Sequence, residues 1–88
     1  MRRSDYFFFR RVGDIYFLQS ADVMENREKK IVFLNETGAF LWNNLDRCNT
    51  EEDLVQLLFD YYEVERDKAR KDVSGFLSFL SENGCIDL

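Results

Sequence analysis

No histidine occurs in this chain of 88 residues, which removes the commonest general base and the commonest metal ligand together. Other hallmarks of catalysis are missing too. There is no glycine-rich phosphate loop, no nucleophile elbow and no Cys-x-x-Cys pair. Seventeen acidic residues are present, but most lie in helical stretches beside basic neighbours, the arrangement of a solvated face. Neither catalysis nor a cofactor or metal is expected. Cys48 and Cys85 are far apart and follow no metal or redox spacing. With no secretory signal in view, free thiols in a reducing cytoplasm are the default, and a single disulfide is the minority alternative. No apolar run is long enough to span a bilayer, and no small-residue cleavage site follows the N-terminal stretch, so neither a membrane segment nor a signal peptide is expected. A net charge of −5 and a pI near 4.6 work against broad attraction to nucleic acid or anionic lipid.

What the chain does have is core-forming material. Apolar residues make up 45%, including nine Phe, four Tyr and one Trp, too many for a disordered chain. The length suits one domain, residues 1–88, with a modest core.

Residues Tyr6 to Arg11 and Ile15 to Gln19 flank Val12-Gly13-Asp14 and predict a β-hairpin. Ser20 to Lys30 is polar and charged and reads as a long exposed loop. Ile31 to Leu34 is a third strand, with Val32 and Leu34 on one face and Ile31 and Phe33 on the other. Leu34 and Val32 are assigned to the core because Leu34 runs directly into a helix. That helix is capped by Asn35 or Thr37, carries Phe40, Leu41 and a core Trp42, and ends near Leu45. Thr50 and Asp53 predict a capping box on a second helix, with Leu54, Leu57, Leu58 and Tyr61 on its apolar face. A third helix begins near Glu65 to Asp67 and ends before Gly84, a C′ glycine. Its core stripe is Ala69, Val73, Phe76, Leu77 and Leu80. Phe79 lies off that stripe, on a flank with Lys68, Asp72 and Gly75, and the glycine leaves a notch beside the aromatic ring. Cys85 to Leu88 is expected to extend and pack on the bundle. The fold class is α+β: a three-stranded antiparallel sheet followed by a three-helix, winged-helix-like bundle.

The segment Leu34-Asn35-Glu36-Thr37-Gly38-Ala39-Phe40-Leu41-Trp42 resembles the LN-x-TG-x-x-x-W signature of the PqqD family. Thr50-Glu51-Glu52-Asp53-Leu54, Tyr62-Glu63-Val64, and Asp72-Val73 with Phe76-Leu77, Leu80 and Gly84-Cys85-Ile86 agree with it in order and spacing. The resemblance covers roughly Gly13 to the C-terminus. It implies a non-catalytic module that binds the leader segment of a ribosomally made precursor peptide. The partner receiving the peptide would be a radical SAM maturase or a leader protease. The resemblance also places the groove between the third strand and the third helix. The polar stretch Glu25 to Lys30 is longer than the tight hairpins of that family.

An unpaired edge at Ile31, Val32, Phe33 and Leu34, free of charge, proline and glycine, suits β-strand addition by an extended peptide. The candidate peptide-binding residues are those four with Lys68, Asp72, Gly75, Phe76 and Phe79. Lys68 or Arg70 would meet acidic leader residues, and Phe79 with the Gly75 notch would take an apolar anchor. Against this stand plainer readings. Ile31 to Leu34 would be an internal strand, Phe79 a lateral core closure, Gly75 a packing accommodation, and Lys68, Arg70 and Lys71 a solvated face. A winged-helix DNA-binding protein is the alternative function, disfavoured because Glu65, Asp67 and Asp72 nearly cancel the basic residues of the third helix. Phe7, Phe8 and Phe9 cannot all be buried on one face, so a partner protein, a second copy in a weak homodimer, or the long loop would cover the rest.

Overall fold

The computed structural model describes residues 2–20 and 30–87; the predicted loop, apart from Ser20 and Lys30, lies outside the described residues. Strand β1 (Arg2–Arg3) is followed by the hairpin β2 (Phe7–Val12) and β3 (Ile15–Ser20), then β4 (Ile31–Leu34). Helices α1 (Glu36–Asn44), α2 (Glu51–Tyr62) and α3 (Arg66–Glu82) come next, with a single 3₁₀ turn at Leu45–Arg47 after α1, and β5 (Ile86–Asp87) closes the chain.

The expected hairpin forms because Gly13 takes a left-handed φ of 58°, open to glycine without a Cβ penalty. Its register runs from Phe7 opposite Ser20 to Val12 opposite Ile15. Strand β4 pairs antiparallel with β3, Phe33 opposite Phe17 and Val32 opposite Leu18. Among the described residues the sheet order is β2-β3-β4, which leaves β4 at an edge. A second, two-stranded ribbon joins β1 to β5; here the C-terminal segment is tied to the N-terminus rather than merely packed on the helices.

Asn35, not Thr37, caps α1, its side-chain oxygen accepting from the Gly38 N–H at 2.7 Å. The capping box of α2 forms as expected: Thr50 accepts from Asp53 N–H while the Asp53 carboxylate accepts from Thr50 N–H. The apolar face of α2 differs from the predicted one. Leu54, Val55 and Leu58 are buried, Leu57 is half-buried, and Tyr61 is 65% exposed. At its last turn α2 meets Phe40 rather than the core, so Tyr61 stacks on that ring, with centroids 4.4 Å apart.

The core joins Leu18 and Val32 of the sheet to Leu41, Trp42 and Leu45, to the α2 face, and to Ala69, Val73, Leu77 and Leu80 of α3. Burying each larger aliphatic side chain stabilises the fold by roughly 1.5–3 kcal/mol. Phe7 and Phe9 turn partly inward onto this core, whereas Phe8 points away and is 54% exposed. Cys48 and Cys85 are both buried free thiols.

Candidate functional site

The hydrogen-bonding phase of β4 follows from one contact. Ser20 N–H donates to the Lys30 carbonyl at 2.9 Å, so in the antiparallel ladder Val32 opposite Leu18 and Leu34 opposite Tyr16 are the pairs that exchange bonds with β3. Ile31 and Phe33 therefore turn their N–H and C=O groups to the open side. Their side chains lie on the outer sheet face, 51% and 67% exposed, with Phe33 beside Phe17. Of the four residues expected along the edge, Val32 supplies neither a free backbone group nor an accessible side chain, being 4% exposed. The usable edge is Ile31 and Phe33.

Facing that edge is a groove of about 470 Å³. Phe33, Leu34, Asn35, Thr37, Gly38 and Leu41 form one wall and floor, and α3 forms the other wall through Lys68, Lys71, Asp72, Gly75, Phe76 and Phe79. All five predicted α3 residues are brought together here. Phe76 serves both purposes, half-buried against the core and lining the groove. Nothing lies within 4 Å of a β-carbon built on Gly75, so the notch is open space and not a close helix crossing.

Helix α3 runs antiparallel to β4 along the groove. Lys30 Nζ donates to the Asn83 carbonyl at 2.9 Å, joining the start of β4 to the end of α3. Gly38, just beyond β4, abuts Phe76. The groove is thus aromatic beside β4 and cationic past its end.

Most of the basic residues on α3 are already engaged. Lys68 pairs with Asp72 at 2.8 Å, and Arg70 with Glu52 at 2.9 Å. Arg66 contacts the same Glu52 at 3.6 Å and Gln56 at 2.8 Å. Arg70 points to α2 and not into the groove, contrary to its predicted role, because Glu52 at the start of α2 holds it. Lys71 lines the groove and has no carboxylate partner among the described residues. It stands four residues before Gly75 and eight before Phe79, the spacing that keeps three side chains on one helix face; that periodicity was the signal for it.

The groups whose titration the fold displaces lie elsewhere. Burial pushes the Cys85 thiol up to about 11 and also raises Cys48 and Tyr62. Backbone N–H groups of Asn49 and Thr50 lower Asp53. No cluster of three His, Cys, Asp or Glu able to hold a metal occurs among the described residues, and no helix among them is long and apolar enough to cross a membrane. Among the described residues the groove offers main-chain donors and acceptors, aromatic surface and the Lys71 ammonium, which is equipment for holding an extended chain.

The sequence profile of one family, described as coenzyme PQQ synthesis protein D (PqqD), matches residues 23–86. No curated protein matches the chain. A solved structure described as TbiB1 in complex with the TbiA(beta) leader peptide has the same fold, with a TM-score of 0.78 and 21% sequence identity over 99% of this chain and 95% of its own.

Proposed function

The chain belongs to the PqqD family, and we propose that it is a non-catalytic module that captures the leader segment of a ribosomally synthesised precursor peptide. The leader adds as a strand to β4, and the module presents it to a modifying enzyme, a radical SAM maturase or a leader protease, in the cytoplasm. The observation that carries this reading is the open edge of β4 facing α3 across a groove. Family membership supports it, and so does the leader peptide bound by the structurally similar TbiB1. Each main-chain bond to Ile31 or Phe33 contributes about 0.5–1.5 kcal/mol net, whatever the peptide sequence, while the groove supplies selectivity. The ion pairs that occupy Arg66, Lys68 and Arg70 leave little positive surface for a phosphate backbone.

The test is a titration of isotope-labelled protein with the leader of a precursor encoded beside its gene, following backbone amide shifts. Shifts concentrated at Ile31, Phe33 and the Lys68–Phe79 face of α3 are expected. A flat titration, or shifts confined to the outer face around Phe8, would overturn the reading.

A further inference from the structure

The wall facing β4 has a regular spacing. Along α3, Phe79, Gly75 and Lys71 all line the groove at intervals of four residues, roughly 6 Å each at the helical rise. In an extended peptide, side chains on one face recur every two residues, roughly 6.6 Å. The two repeats match closely over three positions, so successive inward side chains of an added strand fall opposite Phe79, Gly75 and Lys71 in turn.

Each position offers different chemistry. Phe79 is an exposed aromatic surface near Phe33. Gly75 leaves empty space where any other residue would place a side chain. Lys71 is an ammonium without a carboxylate partner among the described residues, and its neighbours Lys68 and Asp72 are committed to each other at 2.8 Å. An inward carboxylate in the peptide completes the third position. A like charge there would face Lys71 directly, because Asp72, which also lines the groove, is committed to Lys68.

Direction follows from the ladder. Antiparallel pairs outnumber parallel ones two- to three-fold and are slightly more stable per residue. A strand antiparallel to β4 enters at the Leu34 end, beside Lys71, and leaves at the Ile31 end, beside Phe79.

We infer that this site selects leader segments with the pattern acidic-x-bulky apolar-x-apolar, read from N to C, the carboxylate meeting Lys71, the bulky side chain filling the Gly75 notch and the last side chain packing on Phe79. This rests on the strand-addition reading and adds to it a substrate class and a direction.

Three synthetic peptides in a threonine-rich background test it. One carries Asp, Leu and Val at alternate positions, the second has Lys in place of the Asp, and the third has the order reversed. Each is titrated into the protein and into Lys71→Glu, with Kd and the amide shifts of Ile31 and Phe33 as readouts. The first peptide should bind the native protein best, and the Lys peptide about fivefold more weakly, the scale of an exposed ion pair. Lys71→Glu should invert that preference. If all three peptides shift Ile31 and Phe33 with equal affinity, strand addition stands and the pattern is overturned. If the reversed peptide binds best, the direction is wrong and the inference fails. If none shifts those amides, strand addition itself fails and takes the pattern with it.

Discussion

Gly38 and Phe76 meet at the floor of the groove: a β-carbon on Gly38 would stand 3.2 Å from the Phe76 ring and 3.1 Å from the capping oxygen of Asn35. That double approach explains the glycine of the Leu34-Asn35-Glu36-Thr37-Gly38 segment. The residue donates to the Asn35 cap at 2.7 Å while leaving room for an aromatic ring from α3. The segment that carries the family signature thus also shapes the groove wall.

Replacing Gly38 by alanine sets two effects against each other. Alanine favours a helix by about 1 kcal/mol over glycine, but the new methyl crowds the cap and the ring. Asn35 is held by its bond to the Gly38 N–H, so the half-buried Phe76 is the partner that yields, toward the groove. Gly38→Ala should leave stability within about 1 kcal/mol of the native protein, the crowding offsetting the helical gain, and should weaken peptide binding several-fold. Urea unfolding and a peptide titration check the two halves, and unchanged affinity would show that Phe76 does not move into the groove.

Proline separates the two kinds of position on β4. The Phe33 N–H faces the open side, where proline is tolerated in an edge strand, whereas the Val32 N–H belongs to the ladder with Leu18. Phe33→Pro should fold with a near-native circular dichroism spectrum and lose at least tenfold in peptide affinity, having lost a main-chain donor worth about 0.5–1.5 kcal/mol and placed a ring in the path of the incoming strand. Val32→Pro should unfold at markedly lower urea, by about 3 kcal/mol, since it breaks the ladder and removes a buried side chain. Equal damage to folding from both variants would contradict the assigned phase.

Much of this was legible in the sequence because it depends on local chemistry. The hairpin around Gly13, the Thr50–Asp53 capping box, the break at Asn35 and the stripe on α3 each follow from a few adjacent residues. What escaped depends on tertiary neighbours. Tyr61 fits the helical period of α2 but meets Phe40 instead of the core. Arg70 fits the basic flank of α3 but is held by Glu52, eighteen residues earlier. The pairing of Arg2 and Arg3 with Ile86 and Asp87 joins two segments too short and too distant to signal each other. Lys71 was hidden among alternating charges: its spacing to Gly75 and Phe79 puts it on the groove face, but only the ion pairs of its neighbours separate it from the other basic residues of α3.

Gly75 offers a test in which stability and binding move in opposite directions. Its position in the interior of α3, with open space around a β-carbon, means that alanine costs nothing sterically and should add about 0.5–1 kcal/mol of stability. Gly75→Leu should also fold, while filling the notch and lowering peptide affinity about tenfold or more, with the thermal midpoint for Gly75→Ala raised over the native protein. A glycine needed for packing would show the reverse, both variants losing stability.

The start of α2 makes stability sensitive to acid. Asp53 accepts from the backbone N–H groups of Asn49 and Thr50 at 3.0 and 3.1 Å, and these bonds hold its carboxyl below the ordinary aspartate range. In the unfolded chain the bonds are absent, so the unfolded state takes up the proton first as pH falls. The contribution is therefore fully present above about pH 4 and is lost as pH drops through the lower folded value. Asp53→Asn cannot titrate, and its urea midpoint should decline less steeply below about pH 4 than that of the native protein. Thr50→Ala serves as the contrast: it removes the hydroxyl acceptor, costing about 1 kcal/mol at neutral pH, but leaves the two backbone bonds that lower Asp53 most and removes only the smaller effect of the Thr50 side chain. Its decline should therefore stay closer to the native curve than that of Asp53→Asn. Identical acid slopes for the native protein and Asp53→Asn would place the source of acid sensitivity elsewhere among the carboxylates.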